Sequence, residues 1–317
     1  MSVDEKHLAE RFSEFKASSG RLRKEIAAET ARKETIVQLR GLVDMDDKPA
    51  QGHILVRGDH NKRGAVVSPG VPVILVSADN RFQPTGDYKT TNRRKAFARW
   101  LTNPRHPLTA RVQVNRMWAH HFGRGLVETV ANFGRSGSPP SHPELLDWLA
   151  SEFIARGWSR KEMHRLMVTS TAYRQSSDAN ERIRTTDPEN VLLSRWQPKR
   201  YEGEVLRDSL LQLSGRLNLQ MHGQPVPVTR KSDGEIVTAD DSAGNRRSMY
   251  LIVRRSQPLT LLNLFDTPRM QINCPKRDQS IVVTQALTLL NSEFIERVAK
   301  ALAERIGNAT TDKDVRI

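Results

Sequence analysis

The chain has 317 residues, 50 of them Lys or Arg against 36 Asp or Glu, for a net charge of +14. That length accommodates one large domain or two ordinary ones. A single Cys excludes a disulfide framework and any zinc ribbon or iron–sulfur cluster built from several Cys. No apolar run reaches transmembrane length, and Met1 to Glu14 is charged throughout, without the pattern of a signal peptide.

Residues 4–40 read as helix, with Leu8, Phe12, Phe15, Leu22 and Ile26 in alternating steps of four and three and Ser19 in one slot of the stripe. The stripe suits a docking helix or helical hairpin better than a long zipper. Asp44 to Gln51 is turn-like, with Pro49 and Gly52 as punctuation. His53 to Arg57 is a short strand closed by Gly58-Asp59, and Ala65 to Val67 and Val71 to Ser77 are two more strands separated by Pro69-Gly70. Pro72 suggests an edge position or a strand start for the last. Arg57-Gly58-Asp59 matches the integrin-adhesion tripeptide, but Gly-Asp is ordinary turn chemistry.

From Thr91 the pattern is helical. Residues 93–102 form a helix capped by Thr91 or Asn92 and stopped before Pro104. Pro107 suits the first turn of the next, which runs to His121 or Phe122 and ends at Gly123 and Gly125. Ser141-His142-Pro143-Glu144 reads as a capping box, followed by the apolar face Leu146, Leu149, Ala150 and Phe153. Gly157 breaks this helix. Ser159 and Glu162 form a second box that opens a helix facing inward through Met163, Leu166, Met167 and Ser170. Residues 199–214 form another helix, 216–246 a Gly/Pro/Asp/Ser-rich loop suited to a lid or insertion, and Ser248 to Arg254 a strand. Val283 to Leu302 gives a terminal helix or helix pair. The fold class is therefore mainly α, bundle-like, with a small β element (α+β): a helical joint or linker over 1–50, a β segment over 51–90 and a mainly helical domain over 91–317.

Charge is unevenly placed. Residues 91–177 hold 14 basic and 5 acidic side chains, whereas 1–90 hold 15 and 13, and 178–317 hold 21 and 18. Such an excess suits an anionic partner: nucleic acid, a membrane surface, an acidic glycan or an acidic neighbouring domain. Arginines held in ion pairs give the same statistic. The anion-binding candidates are Arg124 and Arg135, in the Gly/Arg-rich loops 122–125 and 133–137, and Arg160, Lys161 and Arg165. Neither loop is followed by Lys-Ser/Thr, so a Walker loop is out. Residues 141–175 have the outline of a helix-turn-helix whose second helix opens with Arg160, Lys161, His164 and Arg165. As a recognition helix it would be bare; as an element of a larger bundle it would be covered, or neutralised by carboxylates from elsewhere.

No metal site is expected. His120 and His121 are adjacent on a helix and point about 100° apart, and neither H-E-x-x-H nor C-x-x-C-H occurs. Cys274 has basic neighbours but no evident base, and Glu202, Glu204 and Asp208 read as an ion-paired helix surface with Arg200 and Arg207. Arg111 is expected to be buried and paired with a carboxylate, because Leu108 and Val112 belong to the core face. If the chain is an enzyme, the catalytic candidates are Arg111, Asn115, His142 and Arg200.

Longer motifs carry a resemblance. They are Arg94 to Leu101, Asn103-Pro104, His106 to Val112, Asn115-Arg116-Met117-Trp118, Phe122 to Val127, Ser141 to Ala150, and Ser170 to Ser177. Glu204 to Ser214, Arg246 to Arg254 and Asn273 to Asn291 continue the match, and residues 53–75 look like the segment that usually precedes them. Together they resemble the DUF1553 family, a planctomycete-type domain of unknown function. The resemblance implies the C-terminal part of an exported protein, preceded by a second domain of unknown function (DUF1549) and often by a c-type haem domain. No cofactor is then expected in this chain. The haem would belong upstream, and the helix at 4–40 would be the joint. The implied location is extracytoplasmic or periplasmic; without a visible signal peptide, a cytoplasmic one stays open. The implied partners are other domains of the parent protein or an anionic polymer, with nucleic acid disfavoured and no membrane span. No catalytic residues carry over from the family.

Overall fold

The computed structural model describes residues 8, 10–32, 41, 51–76, 81–84, 90–268, 274, 276–277 and 279–309. The expected continuation of the first helix through 33–40 and the turn at 44–50 lie outside them. Two units are distinguished: residues 1–70 with 82–97, and 71–81 with 98–317. The described residues are mainly helical, with two small two-stranded sheets.

In the first unit, α1 (Ser13–Arg32) leaves Leu22 and Ile26 of the apolar stripe exposed, as is Phe12 just before it. Strands β1 (Gly52–Leu55) and β2 (Arg63–Val67) form an antiparallel hairpin with Gly52 opposite Val67 and Leu55 opposite Arg63. The strand expected to reach Arg57 ends at Leu55. Arg57 and Gly58 take positive φ (54° and 77°) in a 3-10 turn, and Asp59 accepts from the Asn61 N–H at 3.0 Å and meets Lys62 at 3.5 Å. The adhesion-like tripeptide is thus the hairpin turn.

In the second unit, Val71 to Val76 is not a strand, and Ser77, the expected end of one, lies outside the described residues. Val73–Leu75 is a 3-10 turn in which the Leu75 N–H donates to the Pro72 carbonyl, and Val73 and Ile74 are about nine-tenths exposed. Two prolines, at 69 and 72, remove ladder donors, so the backbone closes on itself instead. Helix α2 (Arg93–Leu101) buries Trp100, whose ring meets His106 edge-on at 4.5 Å. Helix α3 (Thr109–Phe122) starts two residues after Pro107. Its cap is His106, whose Nδ1 accepts from the Leu108 and Thr109 N–H groups at 3.3 and 3.1 Å. Gly123, at φ 82°, ends it as expected.

Helices α4 (Pro143–Ala155) and α5 (Arg160–Val168) follow, joined by a turn in which Gly157 and Trp158 both have positive φ. Ser159 caps α5, accepting from the Glu162 N–H at 3.4 Å. Ser141 caps nothing: its N–H and hydroxyl both go to the Leu126 carbonyl, leaving His142 at the N-cap of α4. The core joins Val114, Met117, Trp118 and Phe122 of α3, Leu146, Leu149 and Phe153 of α4, and Met163 and Met167 of α5, with Leu166 packed at its edge. Each buried side chain of this size contributes on the order of 1.5–3 kcal/mol. Two short helices, α6 (Thr171–Arg174) and α7 (Glu181–Thr186), lead to a tight loop. There Asp187 accepts from the Val191 and Leu192 N–H groups and the Ser194 hydroxyl, at 2.7, 3.1 and 3.0 Å.

Helix α8 (Gly203–Leu213) precedes the long excursion at 216–246, which carries a hairpin of β3 (Thr229–Arg230) and β4 (Ile236–Val237). Buried arginines hold it. The Arg207 guanidinium donates to the Gly244 and Arg246 carbonyls (2.6 and 3.0 Å) and to the Ser248 hydroxyl (3.2 Å). Arg246 donates to the carbonyls of Gln220, His222 and Gln224 and lies over the Tyr250 ring. Ser248 to Arg254 is not a full strand. A 3-10 turn at Ser248–Tyr250 is followed by one parallel bridge between Leu251 and Val226. Pro225 and Pro227 flank Val226, so pairing stops after one residue. Helices α9 (Thr260–Leu264), α10 (Val283–Asn291) and α11 (Glu293–Ala309) complete the chain.

Candidate functional site

Of the four catalytic candidates, Arg111 and Asn115 lie four residues apart on α3, His142 is the N-cap of α4, and Arg200 stands just before α8. Asn115 is fully buried on α3 and clasps one peptide unit: its Oδ1 accepts from the Val127 N–H at 2.8 Å and its Nδ2 donates to the Val127 carbonyl at 2.9 Å. Gly125 lies against this clasp, and a Cβ there would stand 2.5 Å from the Val127 carbonyl oxygen. Arg111 donates to Asp147 Oδ1 and to the Pro107 carbonyl, both at 2.6 Å. The ion pair is as expected, but the side chain is half-buried, 37% exposed, not enclosed. Arg111 beside it holds the Asp147 carboxyl below the usual carboxylate range. His142 faces the Ser141 hydroxyl at 2.9 Å. Arg200 donates to Asp266, the Ser280 carbonyl and Gln285. Among the described residues no hydrogen bond or ion pair joins any two of these four.

The two Gly/Arg-rich loops use their own donors internally. Arg124 pairs with Glu128 at 2.8 Å, and the Gly134 and Gly137 N–H groups bond within their loop while Arg135 is exposed. A shallow cleft near the end of α3 is lined by Trp118, Phe122, Leu126 and Ser141, with the already paired Arg124 at its edge. The acidic set near α8 is likewise engaged: Arg277 spans Glu204 (2.6 and 3.2 Å) and Glu202 (3.4 Å), and Asp208 accepts from Ser248. Cys274 is exposed, its thiol donating to the Lys276 carbonyl.

Helix α5 differs. Met163 and Met167 are buried on one side, and Arg160, Lys161, His164 and Arg165 are exposed on the other. The spacing i, i+1, i+4, i+5 places all four on one helical face. Among the described residues none of Arg160, Lys161 and Arg165 meets a carboxylate, although Arg156 just before them pairs with Glu152 and Glu162. Among the described residues nothing supplies the cover or neutralisation expected of a bundle element on this face.

His164 connects the face to α3. Its Nδ1 lies 2.7 Å from His121 Nε2, and the edge of the Tyr173 ring approaches His121. Lys199 Nζ donates to the His120 and His121 carbonyls at the end of α3. Burial, then the neighbouring His164, Lys199 and His120, pull the His121 pKa down to about 4, so its ring is neutral near pH 7. His120 points elsewhere, with Nδ1 4.0 Å from Glu202, as the divergence of adjacent helical residues requires. The His121–His164 contact spans 43 residues of sequence and has no local signal. Among the described residues no group of three or more His, Cys, Asp or Glu converges as for a metal, and no helix is long and apolar enough to cross a membrane.

Comparison with known proteins gives one family. The model for PSD1, described as a protein of unknown function (DUF1553), matches residues 93–317. No curated protein and no solved structure matches the chain.

Proposed function

The chain belongs to the PSD1 family of proteins of unknown function (DUF1553), and on that premise we propose that it is a non-catalytic binding module that captures an anionic partner through the outer face of α5. One observation carries this reading: among the described residues no carboxylate meets the exposed Arg160, Lys161 and Arg165, whereas Arg111, Arg124, Arg156, Arg200, Arg216 and Arg277 are all ion-paired. A single short helix with four aligned basic side chains matches a compact acidic patch on a neighbouring domain. In this proposal the parent protein is exported and carries a c-type haem upstream, as the family resemblance implies. The upstream reading frame, searched for C-x-x-C-H and a leader sequence, tests that part.

The test of the binding face is a salt titration of the full chain on immobilised polyglutamate. Exposed charge pairs are screened over a Debye length, so binding should fall steeply between about 0.05 M and about 0.3 M salt. Replacing Arg160, Lys161 and Arg165 together by Ala should remove most of it. Salt-insensitive binding, or binding indifferent to the triple substitution, would end the proposal.

Exposure of these same residues at the start of the second helix of a hairpin also favours a second reading, duplex DNA recognition. Phosphate contacts there would give a log–log salt slope of about −0.9 per contact. We expect no affinity for random duplex at low salt; salt-sensitive binding that Arg160→Ala and Lys161→Ala reduce would reverse the ranking.

A further inference from the structure

We propose that His121 and His164 form a two-imidazole site for a divalent first-row transition ion of tetragonal preference, Cu2+ or Ni2+, completed by water. The geometry points there. Two ring nitrogens on different helices face each other at 2.7 Å, a contact that needs one hydrogen between two lone pairs. An ion can replace that hydrogen. With metal–nitrogen bonds of about 2.0–2.1 Å, a right angle at the metal sets the nitrogens about 2.9 Å apart, close to the observed spacing, whereas a tetrahedral angle needs about 3.3 Å. The site therefore suits cis positions of a square or octahedral ion better than a tetrahedral zinc site.

The side of His164 away from the core is exposed and leaves room for water ligands. The Tyr173 ring edge limits how far His121 can turn. Lys199, beside His121, and Arg160, Lys161 and Arg165, on the helix of His164, repel a cation, so local positive charge lowers the affinity of the pair. The inference does not depend on the anionic-partner reading.

The experiment uses the full chain without a polyhistidine tag, dialysed against chelator and titrated calorimetrically with Cu2+ and with Ni2+ near pH 7.5. We expect saturable binding of one ion per chain, and a Cu2+ paramagnetic resonance spectrum showing coupling to two nitrogens. His164→Ala, at an exposed position, and His121→Gln should each abolish that binding and that coupling, while His120→Ala keeps both. Circular dichroism of each variant separates loss of the site from loss of the fold, with His164→Ala decisive if His121→Gln unfolds. Absence of saturable binding in the parent chain, or binding that survives His164→Ala, would overturn the assignment.

Discussion

Replacing Arg207 by Met should remove about 3 kcal/mol of stability. The side chain is 1% exposed, and burial lowers its pKa to about 10, only partly opposed by Asp208 at 3.6 Å. The guanidinium thus remains charged at neutral pH, at a penalty of about 3 kcal/mol. Three hydrogen bonds to the Gly244 and Arg246 carbonyls and the Ser248 hydroxyl offset it. Stranding those partners costs about 2 kcal/mol each, of which the relieved charge burial returns roughly half. Asp208 keeps its bonds to the Ser248 N–H and hydroxyl and is not orphaned. In urea unfolding followed by circular dichroism, with a slope of about 2–3 kcal/mol per molar, the midpoint should fall by about 1 M. Arg207→Lys should fall between, because an ammonium keeps the charge and loses the fork. A Met variant within about 0.5 kcal/mol of the parent, or a Lys variant equal to it, would refute the reasoning.

Gly125→Ala should destabilise the α3–α4 core by at least about 2 kcal/mol, read as a lowered thermal midpoint, because the added methyl meets the Val127 carbonyl at 2.5 Å and the Asn115 amide at 2.9 Å; Gly123→Ala, with open space around its Cβ, should show only the smaller strain of a positive φ. Burial pushes the Asp187 carboxyl up, but hydrogen bonds from Ser194, Val191 and Leu192 outweigh it, and its pKa lies below the ordinary value. Its contribution is therefore complete above the ordinary carboxylate range and disappears as pH falls through the lower folded value. Asp187→Asn should cost about 1–2 kcal/mol near pH 7 and less as the medium is acidified, measured by urea unfolding along a pH series.

The elements whose causes are local were legible. Gly123 closes α3, Ser159 opens α5, and Leu146, Leu149 and Phe153 point inward because helical spacing and capping act within a few residues. The strands expected at Val71 to Ser77 and Ser248 to Arg254 had the right side chains but lacked partners, since prolines at 69, 72, 225 and 227 withdraw the donors a ladder needs. Ser141-x-x-Glu144 had the spacing of a cap, yet the Leu126 carbonyl, fifteen residues back, takes its hydroxyl. Asn115 carried a polar group at a core position, a signal read as chemistry; its answer lay in the peptide unit of Val127. His121 with His164 and Arg207 with Gly244 were invisible for the same reason, because pairing across some forty residues leaves no periodicity.

Arg207 also imposes an order of events on a chain made from one end. It shares a face of α8 with Leu211, four residues on, and both are 1% exposed. The acceptors that satisfy it come 37 to 41 residues later. Until the ribosome has delivered Gly244 to Ser248, seating Leu211 would carry a bare guanidinium into an apolar environment, so α8 waits in solvent. The α3–α4–α5 core needs nothing beyond Trp196 and can consolidate first. Synthesis therefore passes through a half-built protein whose apolar α8 face stays uncovered until the 3-10 turn at Ser248–Tyr250 and the helices α9 and α11 that pack on it have been made, and that interval is when a chaperone has something to hold.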